Sequence, residues 1–202
     1  TAFDHKDRPM SEYFKDAEGN LVGDDVGDSY TIWEYDDNIN QELCSLYNID
    51  GQLKLRIKTI KDHKNRIVER SVVNNDNEYI EHERGYSGEL YEYDDEQNTK
   101  TITYVDSHGN ICTNKQGYAR RVSWCDQFGR IVAQMDLSID DISQGNKGVC
   151  NYIEYGKKYG SYYLYRKDSH GMVIPNENGS VYNYIEEDNI GRIIKNLYFL
   201  HK

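Results

Sequence analysis

The chain has 202 residues, 37 % of them hydrophobic, and its 35 acidic against 24 basic residues give a formal charge of −11. This hydrophobic fraction is low for a protein with a large central core, and the acidic surplus disfavours nucleic acid and anionic membrane surfaces as partners. No apolar run approaches the roughly 20 residues of a membrane helix, so we expect no nucleic-acid partner, no membrane insertion and a thin core rich in the 19 tyrosines.

A repeated unit runs along almost the whole chain, and most of its copies start 32 residues apart. The units start near Phe3, Tyr35, Lys61, Tyr93, Cys125 and Tyr155, with a truncated last unit near Glu187. The second position of each unit is Asp, except at Gly156, and the sixth position is Arg or Asn in the same units. We predict a single repeat array over residues 1–202. Its fold is expected to be an elongated all-β array of about six 32-residue β-hairpin repeats plus the truncated unit.

Segments of alternating, β-branched or aromatic residues predict strands along the chain. In chain order they are 10–14, 21–22, 29–35, 41–47, 52–60, 66–73, 79–84, 89–93, 100–105, 111–112, 120–124, 131–137, 149–155, 159–166, 172–174, 180–185 and 192–200. Turns of the type Asp-x-x-Gly separate many of them, such as Asp16 to Gly19 and the DSHG string at 106–109 and 168–171. Residues 139–146 are predicted to form a polar loop.

The Asp and the Arg or Asn of each unit are predicted to close one turn, in which the carboxylate accepts backbone N–H groups. Asp126 and Arg130 are one such pair. A second marker is a glycine near position 25 of the unit, found at Gly27, Gly85, Gly117, Gly148 and Gly179. The alternative for the Asp-rich turns is Ca²⁺ held between successive loops, because Ca²⁺ prefers oxygen ligands. The structural role is the favoured interpretation, and no cofactor is predicted.

Other groups that carry chemistry do not form a known catalytic pattern in the sequence. The six histidines are His5, His63, His82, His108, His170 and His201. The pairs His5/His63 and His108/His170 share repeat phases, which predicts rows along the array rather than a cluster, and the histidines are expected to be exposed on turns. The four cysteines lack metal-site spacing, so Cys125 is interpreted as a buried thiol. A disulfide between Cys112 and Cys150 is the alternative. The acidic strings look too solvated for glycosidic acid/base work, and nucleophile motifs are missing, so we predict no enzyme.

Surface recognition is the remaining class of function, and aromatic side chains are the residues best suited to it. Trp33, Tyr91 and Trp124 lie at or next to unit ends, and Tyr86 and Tyr118 follow the unit glycine. Either set is a candidate aromatic ladder for ligand binding on one face of the array. The alternative is that these rings form the core between the units.

The recurring Asp-x-x-Gly-Arg turn, as at 126–130 and 188–192, resembles the YD repeat of bacterial Rhs and wall-associated proteins. This resemblance implies a β-hairpin array of bacterial origin in an extracellular or cell-surface setting. The chain departs from the family where Asp7 and Asn65 replace the glycine before Arg, and about six units are too few for the closed shell of long Rhs arrays. A weaker similarity, through Tyr162 and Tyr163, is to sugar-binding repeats of clostridial toxins and choline-binding proteins, which carry more tryptophan.

Two functions follow as hypotheses from these observations. The first is a non-catalytic β-repeat module that binds a protein partner or acts as a spacer. The alternative is a carbohydrate- or cell-wall-binding module whose partner is a polysaccharide. An exposed groove lined by rings would favour the sugar, whereas buried rings and an exposed strand edge would favour protein association.

Overall fold

The structure is a computed structural model, and it describes residues 1–144, 150–155, 161–168, 172–176, 179–188 and 192–200. These residues form mainly β-strands. The strands are β1 (Ala2–Phe3), β2 (Pro9–Tyr13), β3 (Tyr30–Asp36), β4 (Gln41–Tyr47), β5 (Leu53–Lys61), β6 (Ile67–Val72), β7 (Gly88–Asp94), β8 (Thr99–Val105), β9 (Arg120–Cys125), β10 (Ile131–Leu137), β11 (Cys150–Tyr155), β12 (Ser161–Lys167), β13 (Val173–Ile174), β14 (Ser180–Glu187) and β15 (Ile193–Leu200). One short helix, α1 (Ile139–Gln144), lies between β10 and β11. The predicted all-β fold is confirmed.

The contacts divide the chain into two compact units. The first comprises Thr1–Tyr91 and Tyr104–Cys112, and the second comprises Glu92–Thr103 and Thr113–Lys202. In the first unit, β1 to β7 pair antiparallel in chain order. In the second, β8 to β12 do the same, after which β14 pairs with β12 and β15 with β14. Hairpin connectivity is therefore confirmed, while the single array over residues 1–202 stays a prediction.

The predicted Asp–Arg turn is confirmed where the structure describes it. At Asp126, the carboxylate accepts the backbone N–H groups of Phe128 and Arg130 at 2.9 and 3.0 Å, and Arg130 Nε at 2.8 Å. The same bonds form between Asp4 and Arg8 and between Asp62 and Arg66. The residue before each arginine has a left-handed backbone, with φ of 57° at Asp7, 62° at Asn65 and 78° at Gly129. Asp and Asn tolerate this region better than other side chains, which explains why they replace the glycine.

Units with asparagine at the sixth position close the turn differently, although the predicted bonds from backbone N–H groups to the unit aspartate form there too, at Asp36 and Asp94. Asn40 and Asn98 themselves have left-handed backbones, with φ of 49° and 51°. Their carbonyl groups accept the N–H groups of Lys61 and Cys125 at 3.1 and 2.9 Å. The asparagine therefore closes the β3–β4 and β7–β8 hairpins by its backbone conformation rather than by binding the unit aspartate.

Three predicted strands are reduced to single β-bridges. The bridges are Lys15–Leu21, Val73–Tyr79 and Val105–Ile111. A second turn follows each bridge closely, beginning at Asp24, His82 or Asn114. The short segment between the two turns cannot form a ladder, so the predicted strand over 79–84 is absent.

The predicted polar loop over 139–146 is wrong for its first six residues, which form helix α1. Ser138 precedes the helix, and its carbonyl accepts the N–H group of Ile142 at 3.2 Å. Serine is a favoured residue at a helix start, and an acidic residue in the first turn, here Asp140, interacts favourably with the helix dipole. A helix this short shows no amphipathic period in the sequence. The predictions for Gly148, Gly156, His170, His201 and the second DSHG string at 169–171 lie outside the described residues.

The core is thin, but it is not the tyrosine-rich core that we expected. Among the described residues, its buried apolar side chains are Leu43, Val73, Tyr104, Val105, Ala119, Ala133, Leu137 and Ile185. Tyr104 is the one tyrosine in this set. Buried serines fill much of the remaining space, among them Ser29, Ser45, Ser71 and Ser87.

Two of these serines are expected to weaken the fold. The Oγ atoms of Ser29 and Ser45 have no hydrogen-bond partner within the part of the chain that the structure describes. Because a buried, unbonded hydroxyl is unfavourable, Ser45→Ala is expected to raise the free energy of unfolding by about 1 kcal/mol. Urea unfolding followed by circular dichroism measures this change. Ser71, whose Oγ donates to Glu69 at 3.0 Å, is the matched control: Ser71→Ala should destabilise, and equal signs for the two variants would contradict the prediction.

Candidate functional site

The five predicted site residues are all half-buried. Trp33 lies on β3, Tyr91 on β7 and Trp124 on β9, whereas Tyr86 and Tyr118 follow turns at Gly85 and Gly117. The first set therefore lies on strands, and the second lies directly after turns.

Trp33 lies in an aliphatic row of the first unit. Across the strands it is opposite Cys44, which is opposite Ile57 and then Val72. This row gives Trp33 no directly opposite aromatic side chain on β4, and the half-buried indole has the surroundings of a packing residue.

Tyr86 and Tyr91 are brought together by a residue that the sequence analysis did not single out. Both hydroxyl groups donate to the carboxylate of Glu89, that of Tyr86 at 2.7 Å. Burial together with the Glu89 carboxylate raises the pKa of Tyr86 to about 12, and its ring lies 4.7 Å from that of Tyr104. These two hydroxyls serve the local structure.

Stacked tyrosines occur elsewhere in the sheet. In the first unit, Tyr13, Tyr30 and Tyr47 stack with centroid distances of 5.4 and 4.8 Å. They recur every 17 residues (13, 30, 47), a period that the sequence displays but that the 32-residue register obscures. Register places these rings directly opposite one another on neighbouring strands.

The second unit carries a longer aromatic row. Tyr152, Tyr165 and Tyr182 have consecutive centroid distances of 5.2 and 5.4 Å, and the first two rings are nearly parallel at 10°. Tyr182 lies opposite Phe199 on β15. On the other side of Tyr152 the row continues through Ala133 to Trp124, because Ala133 is opposite both.

A pocket lies beside this row, and we call it the Trp124 groove. The residues that line it include Trp124, Asp126, Arg130, Ala133, Tyr152, Glu154 and Tyr165. The groove has a volume of about 660 Å³. Of the five residues predicted from the sequence, Trp124 alone lies in it. The sequence did not indicate Tyr152 and Tyr165, because the row that joins them to Trp124 through Ala133 is visible only when the register of the strands is known.

Charged groups form the rim of the Trp124 groove. Arg130 is paired with Asp126 at 2.6 Å and its guanidinium lies 4.2 Å over the ring of Tyr155. Burial alone would raise the pKa of Asp126, but Arg130 and backbone N–H groups hold it below its ordinary value, so the carboxylate is ionised. Glu154 is exposed and lines the same groove. The rim therefore offers two carboxylates and a guanidinium to a ligand.

Two further hypotheses from the sequence concern a metal site and a disulfide. Within the described residues, no group of three or more His, Cys, Asp or Glu side chains is placed to hold a metal ion. His82 and His108, which do not share a repeat phase, line a common pocket with Asp106. Cys44, Cys112 and Cys125 are free and half-buried, so Cys112 does not form the alternative disulfide.

The comparisons with known proteins leave the family undetermined. No protein-family model matches this chain, and no curated protein matches it.

In the described part of the chain, α1 is far too short and polar to cross a membrane, and no other helix there could do so.

Proposed function

We propose that the chain is a non-catalytic β-repeat module that binds carbohydrate through the Trp124 groove. The observation that supports this proposal is an exposed groove with aromatic walls and a polar rim, which the sequence analysis set as the criterion for the carbohydrate alternative. Sugar sites combine ring faces, on which C–H bonds pack, with a few polar groups that orient hydroxyls. The protein-partner or spacer hypothesis, which the sequence placed first, becomes the second candidate.

The polar groups on the rim suit hydroxyl recognition. The carboxylates of Asp126 and Glu154 accept hydrogen bonds, and the guanidinium of Arg130 donates them. Because Arg130 is already held by Asp126 and by the ring of Tyr155, it is preorganised and loses little freedom on binding. This arrangement supplies orientation without a nucleophile or an isolated buried acid, which is why the proposal is a binding module rather than an enzyme.

Binding to a broad glycan array tests the proposal. We expect Trp124→Ala to weaken binding about tenfold or more, because losing a stacked ring removes on the order of 1.4 kcal/mol. Trp33→Ala is the matched control, since it removes the other tryptophan of the chain from the row of Cys44, Ile57 and Val72. Equal losses in the two variants, or an array without specific binding, would contradict the proposal.

The second candidate is a protein partner at the edge of β15. Among the described strands, β15 pairs with β14, and its exposed side chains include Ile193, Ile194, Leu197, Phe199 and Leu200. An apolar strand with a free edge is a template for β-strand addition. If no glycan on the array binds, protein binding at this edge becomes the proposed function.

The bacterial and extracellular or cell-surface setting belongs to the proposal too, and it rests on the resemblance of the Asp–Arg turns to YD repeats.

A further inference from the structure

We infer that a cavity at the fork between β12, β13 and β14 binds a small hydroxy-carboxylate, with the guanidinium of Arg166 as the partner of the carboxylate group. Uronic acids belong to this class of ligand. The inference goes beyond the proposed function, because it assigns an anionic ligand to a cavity other than the Trp124 groove.

The cavity lies where β12 changes its partner strand. β12 pairs with β14 as far as Leu164, which is opposite Asn183, and with β13 from Arg166, which is opposite Ile174. The volume of the cavity is about 260 Å³. Sites for drug-sized molecules usually measure roughly 300–1,000 Å³, so the ligand is small. Tyr152 and Tyr165 line both this cavity and the Trp124 groove, whereas the residues that carry the inference line this cavity and not the groove: Arg166, Ser180 and Asn183.

Three of the lining side chains hold a buried polar atom without a hydrogen-bond partner. These atoms are Nε of Arg166, Oγ of Ser180 and Oδ1 of Asn183, three of the six such side-chain atoms within the described residues. Buried polar groups are normally satisfied in folded proteins, so each exception needs a reason. Because three exceptions border one cavity, we attribute their missing partners to a ligand of that cavity.

The charge of Arg166 requires an anionic group on the ligand. In the part of the chain that the structure describes, no carboxylate pairs with this half-buried guanidinium, whereas Arg66 and Arg121 are each paired with an aspartate. Asp168, two residues along the chain, instead accepts the backbone N–H group of Met172 at 2.9 Å. None of the eleven residues that line the cavity is acidic. A buried charge is unfavourable unless it is paired.

A carboxylate suits this cavity better than a phosphate. One guanidinium balances a single negative charge and binds a carboxylate by two parallel hydrogen bonds. A doubly charged phosphate would keep an unbalanced charge in a protein whose formal charge is already −11.

The other lining groups require hydroxyls and carbon on the ligand. Oδ1 of Asn183 accepts a hydrogen bond, and the hydroxyl of Ser180 donates or accepts one. An ammonium group would be repelled by Arg166, so the donor on the ligand is a hydroxyl. Leu164, Ile174 and Val181 add apolar surface for a carbon skeleton. Water alone would satisfy single hydrogen bonds but would leave the charge of Arg166 unbalanced.

Isothermal titration calorimetry of the full chain with D-glucuronate tests this inference. D-glucose lacks the carboxylate, propionate lacks the hydroxyls and D-glucose 6-phosphate carries the doubly charged group. We expect glucuronate to bind at least about tenfold more tightly than each of the three. No heat from glucuronate up to about 10 mM, or equal affinity for glucose, would overturn the inference and leave the cavity to ordered water only.

Variants of the lining residues locate the ligand. Arg166→Gln should weaken glucuronate binding about tenfold or more, because it removes a charge-assisted hydrogen bond. Arg70→Gln is the matched control, since it removes the same charge from an exposed position on β6 and should keep the affinity of wild type. Asn183→Ala should weaken binding about threefold or more, and it decides the case if Arg166→Gln fails to fold by circular dichroism.

Two results with these variants would contradict the placement of the ligand. They are unchanged binding in a folded Arg166→Gln or Asn183→Ala variant, and an equal loss in Arg70→Gln, which would indicate attraction by net charge alone. Neither result affects the proposed function, because that function is tested with Trp124→Ala. A glycan array without specific binding, in turn, removes the proposed function and leaves this inference standing.

Discussion

Replacing Glu69 by glutamine is expected to lower the free energy of unfolding by about 2 kcal/mol, a value between those of exposed and fully buried ion pairs. Oε1 of Glu69 accepts from Lys58 Nζ at 2.7 Å, from the hydroxyl of Tyr79 at 2.9 Å and from Ser71 at 3.0 Å. Lys58 and Glu69 expose 13 % and 16 % of their side chains. Glutamine keeps the shape and the acceptor but leaves the ammonium of Lys58 without its counter-charge.

The same carboxylate predicts a pH dependence. Burial raises the pKa of Glu69, but the hydrogen bonds from Lys58 and Tyr79 outweigh it and hold the pKa below the ordinary 4.5. Because the folded-state pKa is the lower one, the stabilisation is complete above pH 4.5 and is lost as the pH falls through the folded-state value. Wild type and Glu69→Gln should therefore differ by the full amount at pH 7, and the difference should shrink as the pH falls below 4.5.

Urea unfolding at several pH values measures both effects. Glu34→Gln is the matched control, because Glu34 is paired with Arg56 at 2.9 Å but exposes 56 % of its side chain. It should cost less than about 1 kcal/mol, as exposed pairs do. A gap between wild type and Glu69→Gln that is the same at pH 3 and pH 7 would rule out the ion pair as its source.

Adding a methyl group at Gly88 is expected to destabilise the first unit by about 1–3 kcal/mol, the usual range for overpacking. A Cβ atom there would lie 3.0 Å from Cγ2 of Val105 and 3.3 Å from Cβ of Ser71. Val105 is almost completely buried, so Val105→Ala should itself cost about 2 kcal/mol. Val105→Ala removes the Cγ2 atom that Gly88→Ala meets, and the double variant should therefore cost clearly less than the sum.

A double-mutant cycle by thermal or urea unfolding gives this coupling energy, which we expect to be at least about 0.5 kcal/mol, as for residues in contact. Gly19 provides the control. Its φ of 88° makes alanine strained there, but no atom lies within 4 Å of the added Cβ. Gly19→Ala should therefore destabilise yet add independently to Val105→Ala, and additivity at Gly88 as well would contradict the close contact.

The sequence by itself determined the strands and many of the turns. Alternating and β-branched residues predicted β4 (Gln41–Tyr47) and β10 (Ile131–Leu137) with their observed bounds, because side-chain period is a local property of a strand. Asp126 and Arg130 were recognised as a closed turn for the same reason, since all its bonds lie within five residues. Helix α1 was missed because six residues carry too little periodicity to be read.

Only the tertiary structure decided which aromatic rings form a candidate site. Trp33 and Trp124 look equivalent in the sequence, yet register places Cys44 opposite Trp33 and Ala133 opposite Trp124. The groove is lined by Trp124 and by the stacked pair Tyr152 and Tyr165, which are 28 and 41 residues further along the chain (152 − 124 and 165 − 124). The groove depends on the sizes of the side chains that are opposite one another across three strand pairings. Which side chains are opposite is fixed by hydrogen-bond register and bulges, and the hydrophobic pattern of a single strand does not specify these.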